Sequence, residues 1–163
     1  MIPNAIYIHR IGNWLYRKKI PILPLISQFY IFIIHNSRIP PKTTIGKGTL
    51  FTAKGMGVVF NGDEIIGENC RIGHHVKMLR KNPYKHCAKI GNRVFISSGA
   101  VIMGNVIIED DAIISANSVV TKSVPNGAIV GGIPARIIGW VTDLDYNIFE
   151  NQKDKEGTEP FLK

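Results

Sequence analysis

Residues 90–119 read IGNRVF ISSGAV IMGNVI IEDDAI ISANSV, and an aliphatic residue opens every hexad: Ile90, Ile96, Ile102, Ile108 and Ile114, with Val120 next. The same register runs back through Met78, Ile72 and Ile66 to Phe60. A period of six is neither the 3.6 of a helix nor the two of a strand. It is the hexapeptide signature of a parallel β-helix, an all-β solenoid. The fifth position stays small or modest in size: Cys70, Val76, Val94, Ala100, Val106, Ala112, Ser118 and Val124. Two inward residues per hexad would fill a narrow triangular tube. Asn69, Gly99, Asn105, Asp111 and Asn117 stand at the fourth position, where a sharp bend favours residues that tolerate positive φ. A sandwich or barrel would instead need alternating strands with turn signals every eight to twelve residues. Spacing alone leaves the handedness open.

The repeat sets the boundaries. Residues 1–38 lie outside it and read as helical: Ile8, Ile11 and Leu15 share one face, with Arg10, Arg17, Lys18 and Lys19 off it. Pro21 and Pro24 interrupt, and a second apolar stretch runs from Leu25 to Ser37. As a helix it would reach about 20 Å, short of the roughly 30 Å hydrocarbon core of a bilayer. Two readings stay open for this front: a helix packed on the solenoid end or on a neighbouring subunit, or an interfacial membrane anchor. Residues 39–140 form the solenoid, with a loop at 79–89 that is polar and basic. That loop is a candidate for function, since loops on rigid scaffolds often carry it. Residues 141–163, with six Asp/Glu against three Lys, form an acidic tail or terminal helix.

At 163 residues the chain is long enough for one main domain with a real core. Its charge is lopsided. Residues 1–62 hold eight Lys/Arg and no acid, so the whole net +8 is N-terminal. Such a block suits an anionic membrane, an acidic substrate or nucleic acid, and no nucleic-acid motif accompanies it. Two cysteines, Cys70 at an inward position and Cys87 in the loop, indicate no disulfide framework and fit a reducing compartment. No secretory cleavage pattern follows the first apolar stretch.

Three features carry a family resemblance: the repeat itself, Gly57-Val58-Val59 ahead of IIGENC, and VTKSVPNGAIVGGIPAR at 120–136. Together they resemble the hexapeptide-repeat acyltransferases, in particular the serine acetyltransferase-like branch that includes polysaccharide O-acetyltransferases. The resemblance covers about residues 39–140. It implies a left-handed β-helix, a homotrimer and acetyl-CoA as donor, bound in a groove between adjacent subunits, with no metal required. By similarity, Ser98 and Ala116 would line the pantetheine arm, with Thr121 and Lys122 beside it. Arg136 would meet the coenzyme phosphates, a role its forked donors suit. A second basic residue expected shortly afterwards is absent, since Gly139 stands there. From the residues themselves, Ser98 and Ala116 are equally well explained as small turn residues.

Acyl transfer to a hydroxyl needs a general base and donors for the oxyanion, and histidine is the natural base near neutral pH. The branch places its histidine a few residues before Gly-Val-Val, where this chain has Ala53-Lys54-Gly55-Met56-Gly57. Lys54 would serve as base only if burial or a neighbouring cation lowered its pKa. The candidates that remain are His86, in KHCAKIG, similar to the family's loop histidine, and His74, in GHHV ahead of LRKN, similar to galactoside-type acetyltransferases. Each also reads as a solvated turn residue. His9 and His35 belong to the N-terminal helices.

The leading expectation is an O-acetyltransferase acting on a sugar of a cell-surface polysaccharide or its precursor, in the cytoplasm at the inner face of the membrane. The alternatives are a serine O-acetyltransferase and a catalytically degenerate coenzyme-binding scaffold. A zinc hydratase would need His74, His75 and His86 to converge across a subunit boundary. A trimer also follows from an outward groove with Arg80, Lys81 and Lys85 that only a second copy would close.

Overall fold

The inward aliphatic residues stack into three ladders, and the ladders define the tube. A computed structural model describes residues 2–81 and 87–145. Four successive coils each contribute a triplet of short strands: β1 (Thr44–Ile45), β2 (Leu50–Phe51) and β3 (Val59–Phe60); β4 (Ile65–Ile66), β5 (Arg71–Ile72) and β6 (Lys77–Leu79); β7 (Lys89–Ile90), β8 (Phe95–Ile96) and β9 (Val101–Met103); β10 (Ile107–Ile108), β11 (Ile113–Ile114) and β12 (Val119–Val120). First strands pair only with first strands, in parallel, and likewise for the others, giving sheets ordered β1-β4-β7-β10, β2-β5-β8-β11 and β3-β6-β9-β12. The register superposes the hexad openers: Ile45 on Ile66, Ile90 and Ile108; Phe51 on Ile72, Ile96 and Ile114; Phe60 on Met78, Ile102 and Val120. From Phe51 onward every one of these side chains is buried, as are the fifth-position residues Cys70, Val76, Val94, Ala100, Val106, Ala112, Ser118 and Val124. This is the left-handed parallel β-helix of hexapeptide repeats.

Corners fall at the fourth hexad position, with one exception. Asn69, Gly99, Asp111 and Asn117 have φ between 55° and 74°, but in the third coil the left-handed residue is Gly104 (φ 88°) and not Asn105. Glycine one step earlier takes the bend at less steric cost. His75 (φ 56°) and Arg93 (φ 51°) also adopt this conformation. Arg93 is held there by a two-pronged ion pair to Asp111 one coil on, both contacts 2.7 Å. Two insertions leave the columns intact, although the shorter one shifts the six-residue phase of the sequence by three. Three extra residues between β2 and β3 make a 3-10 turn at Thr52–Gly55, and six extra separate β6 from β7.

Ahead of the first coil only Arg38 continues a sheet, as a parallel bridge to Val59, so β1 and β2 are sheet edges, a hazard that folds cover with another element. Here the cover is helical. Helix α1 (Ala5–Arg17) is capped by Asn4, whose Oδ1 accepts from the Ile6 N–H and whose Nδ2 donates to the Phe51 carbonyl. Asn13 donates to the carbonyls of Pro41 and Thr43, Arg10 to those of Gly46 and Thr49, and His9 Nε2 to that of Thr43 at 3.2 Å. The docked face is Ala5, Ile6, His9 and Gly12, all buried, whereas Ile11 is 57% exposed. Of the stripe Ile8, Ile11 and Leu15, Ile8 packs against the core and Leu15 is half-buried, while Ile11 faces outward, so the stripe is not the docked face as a unit. Helix α2 (Leu23–His35) packs against α1, with Ser27 against Gly12, and ends at Asn36 in the left-handed conformation. At the other end a hairpin, β13 (Ala128–Gly132) with antiparallel β14 (Ala135–Trp140), extends the second sheet, β13 pairing in parallel with β11. Both cysteines are free and buried. The tail from residue 146 lies outside the described residues, and Val141–Asp143 form a short 3-10 turn.

Ile102 is fully buried in the middle of its ladder. Ile102→Ala is expected to lower the unfolding free energy by about 2–5 kcal/mol, measured by urea denaturation. His9 gives a second test. Burial holds its pKa down to about 4, against 6.5 for the free side chain, with Thr43 and Ile39 backbone contacts acting in the opposite direction. Between those values the unfolded chain binds a proton that the folded chain refuses, so stability falls as pH drops below 6.5. The folded protein should be less stable at pH 5 than at pH 8 by about 2 kcal/mol from this group. His9→Gln should flatten that part of the urea midpoint against pH.

Candidate active site

Between its second and third strands each coil turns the same corner, and the candidate residues collect there. Ascending the tube, this corner carries the Thr52–Gly55 turn, then His74 and His75, then Ser98 and Gly99, then Ala116 and Asn117. Backbone bonds lock the corners together: His75 N–H to the Met56 carbonyl, Gly99 N–H to that of His74, and Asn117 N–H to that of Ser98, all 2.9–3.0 Å. Neighbouring coils therefore stand about 4.8 Å apart, close enough for side chains on successive corners to touch.

His74 and Ser98 do touch. The Ser98 hydroxyl lies 2.9 Å from His74 Nδ1, both side chains half-buried. A hydroxyl can give or take this bond. When Nδ1–H donates to Ser98, the lone pair of Nε2 is left free, and the imidazole is oriented to accept a proton there. The His75 ring meets that of His74 edge-on at 5.4 Å and lies against Gly57, which has φ 69° and where a Cβ would strike the ring. Gly57, in the Gly-Val-Val run, thus makes the room that His75 occupies.

Below this pair the turn at Thr52–Gly55 holds Ala53 and Lys54 in the left-handed region, φ 43° and 58°, and both are exposed. Two consecutive non-glycine residues there represent stored backbone strain. The support comes from behind. Ser37 Oγ bonds with the carbonyls of His35 and Gly55 and accepts from the Val58 N–H, while the Gly57 N–H donates to the His35 carbonyl. His35 is buried, and its pKa is lowered by burial first and then by the Lys54 charge, both of which favour the neutral ring. Sequence reasoning did not assign His35 and Ser37 to this corner. The only signal was the polar His-Asn-Ser run closing an apolar helix.

At the upper end the hairpin projects over the corner. The Gly132 N–H donates to Ser118 Oγ, Gly131 lies beside Ser115 and pairs with Arg136, and the Arg136 side chain is exposed with one nitrogen donating to the Ala135 carbonyl. His74, Ser98, Ala116 and Arg136 therefore lie along one edge. Thr121 and Lys122 do not: both are exposed on the next corner, beyond β12. That corner also bears the start of the 79–89 loop, where Arg80 is engaged by Asp63, which Lys42 pairs as well. The Lys42 hydrogen bond, with help from Arg80, holds the Asp63 carboxyl below the usual range. Lys85 and His86 lie outside the described residues. Among the described residues no group of three His, Cys, Asp or Glu could hold a metal ion.

Residues 87–122 match the family described as "Bacterial transferase hexapeptide (six repeats)". Over residues 87–122 the chain thus carries the hexapeptide repeat that this family model describes. It is 40% identical over 144 residues to a serine acetyltransferase of Staphylococcus xylosus, an alignment covering 83% of this chain and 63% of the relative. It is 33% identical over 137 residues to a serine acetyltransferase of Synechococcus elongatus, covering 83% and 56%. The crystal structure of serine acetyltransferase from Brucella abortus strain S19 in complex with coenzyme A superposes with a TM-score of 0.79 at 33% identity, covering 83% of this chain and 55% of that one. The chain spans between half and two thirds of the length of these relatives. They correct the expectation of a polysaccharide sugar as acceptor, since they are serine acetyltransferases. The features that suggested a sugar were the basic, apolar front and the missing histidine. The front is a helical hairpin seated on the first coil, where its polar residues cap carbonyls, so it carries no information about the acceptor.

Replacing Gly57 by alanine forces a Cβ into positive φ and against the His75 ring. Gly57→Ala is expected to cost about 1–3 kcal/mol in urea unfolding and to shift the His75 ring resonances in proton NMR.

Proposed function

We propose that this chain is an acetyl-CoA-dependent O-acetyltransferase of the serine acetyltransferase kind, with His74 as its general base. The observation that carries the reading is the match over 83% of the chain to a serine acetyltransferase solved with coenzyme A. The His74–Ser98 pair on the shared edge supplies the chemistry. Acetyl-CoA is the donor, lying along the edge with its acyl end near His74. Small Ala116 leaves room for the pantetheine arm, and Arg136 offers its guanidinium to the phosphates. A trimer completes each groove with a neighbouring copy. Because acetyl-CoA is the donor, the cytoplasm is the compartment that suits the reaction.

The transfer balances as follows. Ser98 accepts from His74 Nδ1–H, so Nε2 takes the proton of the acceptor hydroxyl as its oxygen forms a bond to the thioester carbon. Donors for the tetrahedral oxyanion would come from corner N–H groups other than those of His75, Gly99 and Asn117, which bond between coils. The intermediate collapses by breaking the carbon–sulfur bond, and the departing thiolate takes the proton back from the imidazolium. The products are the O-acetyl ester and coenzyme A.

The test follows coenzyme A thiol release from acetyl-CoA with L-serine. His74→Ala is expected to lower kcat by about 10²–10⁴-fold. Ser98→Ala, which removes orientation but not the base, should lower kcat about tenfold with KM little changed. Full activity in His74→Ala together with its loss in His86→Ala would move the base to the loop. Coenzyme A binding without turnover of L-serine would overturn the serine acetyltransferase reading and favour a degenerate binding scaffold.

A further inference from the structure

Helix α2 turns an apolar side outward. Pro24, Ile31 and His35 are buried against the rest of the fold, while Leu25, Ile26, Phe29, Phe32 and Ile33 are 55–66% exposed. At 3.6 residues per turn these five fall within an arc of about 120°. Leu23, Tyr30 and Ile34 extend the exposed apolar surface on one side of the arc, and half-buried Gln28 borders it on the other. On α1, packed beside it, Tyr7, Ile11 and Trp14 are 53–57% exposed and recur at the spacing of a single helical face. Soluble proteins rarely leave apolar surface of this extent uncovered.

The charge around it identifies what covers it. Arg17, Lys18 and Lys19 are exposed at the end of α1, just before α2 begins. Arg38 is exposed just beyond the other end of α2, and the Lys54 charge acts on His35, the last residue of that helix. No Asp or Glu occurs in residues 1–62. An apolar face with cations at both ends and no acid fits the boundary of a bilayer that contains anionic lipid. A two-fold contact between copies through this face would set the same cations against one another. No helix among the described residues is long and apolar enough to cross a membrane.

We propose that the outward face of α2, with the Tyr7–Ile11–Trp14 stripe beside it, docks on an anionic membrane surface, the helix lying in the plane of the interface. The inference is independent of the acyl acceptor. The corner of His74 and Ser98 is part of the solenoid, one coil beyond the turn that carries Lys54.

The test sediments the full-length protein with vesicles of phosphatidylcholine alone and with added phosphatidylglycerol. Binding is expected to the anionic vesicles, to weaken with added salt, and to be slight with phosphatidylcholine alone. F29E/I33E, on the outward arc, should weaken binding at least about tenfold. R17Q/K18Q/K19Q, at exposed positions whose change leaves the fold intact, should remove most of the preference for anionic lipid. In a Trp140→Phe background, brominated lipid should quench Trp14. Three results would overturn the proposal: wild-type protein that stays in the supernatant with every vesicle, an oligomer in light scattering that F29E/I33E dissociates without any vesicle binding, or anionic-vesicle binding that the three-cation variant leaves unchanged.

Discussion

Stacking of one aliphatic residue on its counterpart a coil away is the interaction from which the rest of this structure follows. Phe60, Met78, Ile102 and Val120 form one such column, and every member is buried. The strands that carry them are two or three residues long, too short to persist alone. Each is stable because its neighbours above and below supply both its hydrogen bonds and its apolar contacts, as in other solenoids. Corners inherit that rigidity. His74 meets Ser98 because Ile72 lies on Ile96, and the bond between their side chains depends on backbone columns that neither residue belongs to.

The tube was legible in the sequence because its signal is periodic and survives two interruptions. Those interruptions are three and six residues long, and neither moves an aliphatic residue off its column. Corners were legible to the extent that glycine and asparagine mark them. Asn105 misled because Gly104 beside it bends more easily, and His75 and Arg93 escaped because contacts to Gly57 and Asp111, made across coils, offset their cost.

The seating of α1 left no such trace. Asn4, His9, Arg10 and Asn13 hold it by donating to carbonyls at a sheet edge, and an edge has no pattern of its own. The apolar stripe of Ile8, Ile11 and Leu15 was visible but is not the docked face as a unit. At the site, His74 stood out from its motif and Ser98 from its smallness, but as members of separate functions. Their contact follows only once the six-residue insertion is counted, which sets them 24 positions apart and one coil apart. The acceptor had no residue signature at all, and relatives rather than spacing corrected it.

The two ends of the tube are dissimilar, and this bears on how copies can assemble. A stack of identical coils is a template for further identical coils, so bare ends would let one molecule extend another into a fibre. Here the leading end is occupied by a helix bonded to the edge carbonyls, and the trailing end by a strand that reverses direction. An antiparallel strand offers the wrong hydrogen-bonding phase to a parallel newcomer. Lengthwise addition is thereby opposed at the helical pole and, at the other, along the edge of the second sheet, whereas contacts on the flanks of the prism can close by rotational symmetry.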